Sequence, residues 1–103
     1  MNTIWKYELN PVLKDIQVPR NAKVLTAAAQ GDNICVWVEL NPDEPADDVR
    51  RFEVFGTGHV IPKGERRYVG TAFLGILVFH VYELNASMQA PAPSGAAEPQ
   101  QES

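Results

Sequence analysis

One cysteine, Cys35, is the whole thiol inventory of this 103-residue chain. A lone cysteine excludes an internal disulfide. With only two histidines, His59 and His80, no Cys/His spacing makes a zinc site, and no metal or other cofactor is expected. Long apolar runs are missing too. Nothing approaches the ~20 residues that carry a helix across a bilayer, so no membrane partner is expected. The opening Met1-Asn2-Thr3-Ile4-Trp5-Lys6-Tyr7-Glu8 lacks the basic and apolar regions of a signal peptide, and the expected location is the cytoplasm. Asn85-Ala86-Ser87 then matches a glycosylation acceptor by chance. A basic excess is also lacking: 9 Lys+Arg stand against 13 Asp+Glu, a net charge of −4. Proteins that neutralise phosphates cluster basic charge, so the balance argues against nucleic acid. It suits a partner with a basic surface, or simple solubility.

What is present is enough apolar sequence for one domain. Residues 2–84 form the expected folded unit. Residues 85–103, rich in Ala, Pro, Gln, Ser and Glu, have no apolar periodicity and are expected to be a disordered tail. Alternation marks the strands. Trp5, Tyr7 and Leu9 share one face of Thr3 to Leu9, with Lys6 and Glu8 on the other. Asp15 to Val18 is a short extended piece stopped by Pro19. Lys23 to Gln30 contains the helix-favouring Ala27-Ala28-Ala29, yet the turn Gly31-Asp32-Asn33 and the β-run Ile34 to Leu40 follow, which favours a hairpin. In that run Ile34, Val36, Val38 and Leu40 share one face, and Cys35, Trp37 and Glu39 the other. An acidic, proline-interrupted loop, Asn41 to Asp48, leads to Val49 to Phe55. The last strands are Arg67 to Leu74 and Ile76 to Leu84, pivoting at Gly75. The final one is apolar on both faces and is expected to lie centrally, covered on both sides. The pattern predicts an all-β fold, a small sandwich or partly open barrel of about six strands. The alternative is α+β, with a short helix over residues 21–30 or in the acidic loop.

Chemistry has few places to reside. No serine precedes Ser87, and Cys35 sits mid-strand in apolar company, so neither has the setting of a nucleophile. The best site candidate is the turn Gly56-Thr57-Gly58-His59. Its glycines permit close backbone approach and an anion-binding concavity of N–H groups, or serve only as a corner between strands. His59 and His80 titrate near neutrality and suit proton transfer; His80, in an apolar strand, reads equally as a hydrogen-bonded core residue. Arg50, Arg51, Arg66 and Arg67 flank the turn in sequence. Converging, they would hold an anion; splayed, they are solvated strand ends. Trp5 and Trp37 offer stacking surfaces or core rings.

Taken together, Ile4-Trp5-Lys6, Val18-Pro19-Arg20-Asn21-Ala22-Lys23-Val24-Leu25, Val36-Trp37, Phe55-Gly56-Thr57-Gly58-His59 with Ile61-Pro62, Tyr68-Val69-Gly70-Thr71 and Leu77-Val78-Phe79-His80-Val81-Tyr82-Glu83 resemble a family of small proteins of unknown function found in phages and bacterial genomes. The resemblance covers residues 3–84. It implies a phage or mobile-element setting and supplies no chemistry. The expectation is a non-enzymatic accessory protein that binds a host protein stoichiometrically, including counter-defence against a host immune complex. The alternatives are a sink for a phosphorylated or nucleotide-like small anionic ligand, and a small enzyme with His59 as general base. Apolar residues on both faces of the last strand further suggest a homodimer.

Overall fold

The computed structural model of the chain describes residues 1–10, 15–84 and 99–100. Its elements are β1 (Thr3–Leu9), β2 (Asp15–Val18), β3 (Lys23–Gln30), β4 (Asn33–Leu40), β5 (Asp48–Gly56), β6 (Arg66–Leu74), β7 (Leu77–Leu84) and the two-residue β8 (Pro99–Gln100). They form one sheet in the order β2-β5-β7-β6-β3-β4-β1-β8. Every pairing is antiparallel except β3 with β6, which meet in parallel at Ala27 and Gly70. The first seven strands make a nearly closed, barrel-like sheet.

The reason for the curl is visible in which residues are buried. Tyr7 and Leu9 of β1, Ile16 and Val18 of β2, and Val24 and Ala27 of β3 belong to one core with Val36, Val38 and Leu40 of β4, Phe52 of β5 and Val81 of β7. One face of each of these strands is mostly apolar, so the sheet wraps its own inner face rather than packing on a second layer. Bulges between Val24 and Thr26 in β3, and between Tyr68 and Gly70 in β6, bend the two strands that meet in parallel. The sequential strands β1 and β2 lie at the two sides of the seven-stranded sheet, where the barrel stays unjoined.

The fold is all-β as expected, and the residues weighed for a helix are otherwise. Residues 23–30 are β3, and no helix occurs among the described residues of the acidic loop. The final strand is central, between β5 and β6, but two expectations about it need correction. Ile76 is not in the strand. It occupies the second position of the two-residue turn Gly75-Ile76, where Gly75 has φ 61°, and it is 98% exposed. A hairpin this tight needs a positive φ at its first central position, which glycine supplies. Nor is β7 covered on both sides: Val81 and Glu83 are buried, whereas Val78, His80 and Tyr82 on the outer face are half-buried. The tail expectation falls on residues outside the described ones, apart from Pro99 and Gln100, which pair with Tyr7 and Lys6 of β1.

Candidate functional site

The Gly56 turn closes β5 at one end of the barrel. His59 N–H donates to Gly56 O at 3.0 Å, and Gly58 holds φ 89° at the third position, the geometry of a type II turn. Thr57 N–H donates to Val78 O at 3.2 Å, which ties the turn to β7. Gly56 N–H donates to His59 Nδ1 at 3.2 Å, so the imidazole lies back over Gly56. A Cβ at Gly56 would stand 2.8 Å from His59 Cε1, so glycine here is what seats the ring. The amides of Gly56, Thr57 and His59 are therefore spent on internal acceptors and do not line an anion cradle. Because Nδ1 accepts, the neutral ring carries its proton on Nε2 and offers a donor outward. It has no unused lone pair with which to act as a base.

His59 faces a cavity of about 410 Å³ at the mouth of the barrel. Its walls are Leu9, Ile34, Val54, Leu74 and Phe79, and its rim adds Asn10, Asp32, Asn33 and Gly56. The walls come from five strands that are neighbours only through the sheet order, so nothing in local sequence brings them together.

His80 lies on the opposite, outer face, between Phe55 of β5 and Thr71 of β6. Its Nε2 is 2.9 Å from Thr57 Oγ1 and its Nδ1 3.2 Å from Thr71 Oγ1. Thr71 in turn bonds the Tyr68 hydroxyl, and Thr57 Oγ1 reaches Val78 O at 3.4 Å. A donor direction that satisfies the whole chain runs from Tyr68 to Thr71, Thr71 to His80 Nδ1, His80 Nε2–H to Thr57, and Thr57 to Val78 O. The same face carries edge-on aromatic contacts of Tyr82 with Phe55 (5.9 Å) and Tyr68 (5.5 Å), and the Arg66 guanidinium 5.8 Å from the Phe55 ring centre. The two histidines thus serve different faces and form no metal or acid–base pair. No group of three potential metal ligands occurs among the described residues.

The four arginines do not converge on an anion site. Arg50 and Arg67 both bind Glu83, Arg51 makes a two-pronged pair with Asp15 (2.7 and 2.8 Å), and Arg66 binds Glu53 at 2.6 Å. Bonding to Asp15 holds the Arg51 guanidinium further above its ordinary range. Arg50 lies six extended residues from Gly56, about 20 Å at the rise of a strand. Trp5 packs against the core from the inner face. Trp37 is half-buried on the outer face of β4, opposite Lys6 and Thr26. Neither belongs to the cavity lining given above.

Cys35 is fully buried although it shares that outer face. Lys6 of β1 and Gln30 of β3 hydrogen-bond to each other from either side of β4, across the strand that carries it. Burial pushes the thiol's pKa up, with Lys6 opposing. Native protein should therefore react with Ellman's reagent on the order of 100-fold more slowly than the unfolded chain. Comparable rates would show that the Lys6–Gln30 cover opens freely.

A family model described as Domain of unknown function (DUF7352) matches residues 1–91. The chain belongs to that family. The match spans all seven strands of the barrel and stops short of β8, so the β1–β8 pairing lies outside what the DUF7352 model covers. No curated protein and no solved structure matches the chain. No helix among the described residues is long and apolar enough to cross a membrane.

Sequence reasoning singled out His59, but missed Asn10, Asp32 and Asn33, which reach the same rim from the end of β1 and the β3–β4 turn. It also missed Tyr68 and Thr71 as partners of His80. The signal available was register: once β6 and β7 pair through Gly75-Ile76, Thr71 must face His80.

Proposed function

We propose that this DUF7352 domain acts by stoichiometric binding to another protein, through the outer face of β5-β7-β6 and the β6–β7 hairpin tip. One observation carries the reading. Phe73 (68% exposed), Ile76 and Leu77 at the tip, Val60 (86%) and Ile61 just after the Gly56 turn, and Tyr68 on the outer face are large apolar side chains left open to solvent. Scattered singly such residues are ordinary, but here Phe73, Ile76 and Leu77 fall within five positions of one hairpin. The adjoining aromatic and arginine-bearing face has the composition of interface hot spots.

Arg20, Arg50, Arg51, Arg66 and Arg67 are all paired with carboxylates. The surface that fits has an apolar centre. We place it on a host protein, in the phage or mobile-element setting that the sequence motifs imply, with counter-defence against a host immune complex as the role. The same commitment of the arginines leaves the small-anion sink without the arginine pairs expected to hold its ligand.

A Phe73→Asp/Leu77→Asp double substitution should abolish partner capture from host lysate, at least about 100-fold in affinity if both are anchors. Its unfolding midpoint should stay near that of the wild type, because both side chains are more than half exposed. Equal capture by both proteins would end the reading. Light scattering on the free protein separates a homodimer on this face from a heterotypic use: a dimer doubles the 11.4 kDa mass and the double substitution returns it to one chain.

A further inference from the structure

We infer that the mouth of the barrel is a binding site for a small uncharged amphiphile, one with an apolar body and a single hydrogen-bond acceptor. The inference goes beyond the protein-docking face, which takes in the outside of the sheet and the hairpin tip and shares no residue with the cavity lining.

Three observations converge. First, the barrel is filled at one end and open at the other. Ile16, Val18, Leu40 and Phe52 are fully buried, whereas Ile34, Val54, Leu74 and Phe79, which line the mouth, are only half-buried. They line a cavity of about 410 Å³, within the range of ~300–1,000 Å³ that holds small ligands. A nearly closed sheet of this size has room for one such molecule. Second, the rim carries a fixed donor. The imidazole of His59 is anchored through Nδ1 on Gly56 N–H, and the absence of a side chain at Gly56 makes room for it. Its Nε2–H remains for an acceptor at the cavity edge. This gives the Gly56-Thr57-Gly58-His59 motif a role that its internally spent amides do not. Third, the electrostatics exclude an anion. Asp32 is the charged side chain in the cavity lining, and the four arginines once weighed for an anion site are bound to Glu83, Asp15 and Glu53. An anion would enter without a counter-charge and beside a like charge, at a desolvation cost that the apolar walls cannot offset. A neutral molecule meets neither penalty.

The probe that fits is Prodan, an uncharged naphthyl ketone whose emission shifts to the blue in apolar surroundings. Titrated into the full chain, it should bind saturably at one site, half-saturating within about 10–300 µM, the span that ordinary ligand efficiency allows a molecule of its size. Anilinonaphthalene sulfonate, with a similar ring system and a negative charge, should bind at least about tenfold more weakly. His59→Ala should weaken Prodan about three- to tenfold, the loss of one hydrogen bond. Leu74→Trp should abolish binding by filling the cavity, and Phe73→Asp, on the outer face opposite Val78, should leave it unchanged, so failure here and failure of the docking reading are separable. Amide shift mapping on the wild-type protein does not depend on any variant folding: changes should centre on Asn33, Gly56 and His59. Absence of saturation, tighter binding of the sulfonate, or shift changes confined to Phe73, Ile76 and Leu77 would each overturn the site.

Discussion

Gly70→Ala should be the most damaging single-methyl change in the barrel, costing about 3 kcal/mol or more. Gly70 is buried in β6 and faces Ala27 of β3 in the one parallel pairing of the sheet. A Cβ placed there would stand 2.1 Å from Ala27 O, 2.8 Å from Ala27 N and 2.9 Å from its carbonyl carbon. These are backbone atoms, so no rotamer change relieves the clash and the strands must separate. The separation falls at the worst place. The junction of β6 with β3 is what joins β2-β5-β7-β6 to β3-β4-β1. Gly75→Ala is the matched control. Nothing lies within 4 Å of a Cβ at Gly75, and the cost is the positive φ of 61° alone, about 1–2 kcal/mol. Denaturant titration of the two variants beside the wild type reads both values. A loss at Gly70 no greater than that at Gly75 would mean that the parallel junction is looser than these distances describe.

The alternation of Ile34 to Leu40 was enough to place Val36, Val38 and Leu40 inside, because a strand has only two faces and one of them was aliphatic. The same logic placed Tyr7 and Leu9 correctly. It went astray at the tip of the last hairpin. Ile76 reads as a strand residue by hydrophobicity, but Gly75 commits it to the turn, and local apolarity says nothing about whether a hairpin end has a neighbour to cover it. The ambiguous Lys23 to Gln30 segment resolved towards strand because Gly31-Asp32 folds it back on β4. There the register places Ala27, Ala28 and Ala29 opposite Val36, Cys35 and Ile34. Helix propensity of the alanines is worth a few tenths of a kcal/mol per residue, less than the cross-strand contacts that replace it.

The site was legible only in part. The sequence pointed to Gly56, Gly58 and His59 through their glycine spacing. It could not show that Leu9, Ile34, Val54, Leu74 and Phe79 line one cavity, since that depends on a sheet order in which β3 lies beside β6 and β5 beside β7. The arginine pairs illustrate the opposite error. Arg50-Arg51 and Arg66-Arg67 are adjacent in sequence, so each pair looked like a unit. In a strand adjacent side chains point to opposite faces, and each pair is accordingly divided, Arg50 and Arg67 inward to Glu83, Arg51 and Arg66 outward to Asp15 and Glu53.

Glu83→Ala should cost about 3–5 kcal/mol, the usual result of removing one member of a buried ion pair. The Glu83 side chain is 8% exposed on the inner face of β7, between Phe52 of β5 and Arg67 of β6. Its two oxygens take hydrogen bonds from Arg50 Nε and Nη2 and from Arg67 Nη2, the last at 2.9 Å. Arg50 also donates to Ala22 O at 2.9 Å, which ties this end of β5 to the start of β3. Truncating the carboxylate leaves Arg50 as an uncompensated charge in a mostly desolvated position, while Arg67, more than half exposed, turns to solvent. For a domain of this size the loss corresponds to a fall in unfolding midpoint of roughly 15–30 °C. Glu53→Ala breaks the pair with Arg66, whose side chain is 6% exposed, but the carboxylate is 32% exposed and Arg66 keeps its bonds to Pro62 O and Gly64 O. Its cost should be smaller, about 1.5–3 kcal/mol, because the buried guanidinium keeps two backbone acceptors. Replacing both members of the inner pair, Arg50→Met with Glu83→Leu, should recover much of the loss, since apolar groups of similar volume need no counter-charge. If the double substitution is as unstable as Glu83→Ala, the pair contributes geometry that apolar side chains cannot supply. If Glu83→Ala instead melts within about 3 °C of the wild type, Arg50 reaches water without its carboxylate, and this end of the barrel is open as well.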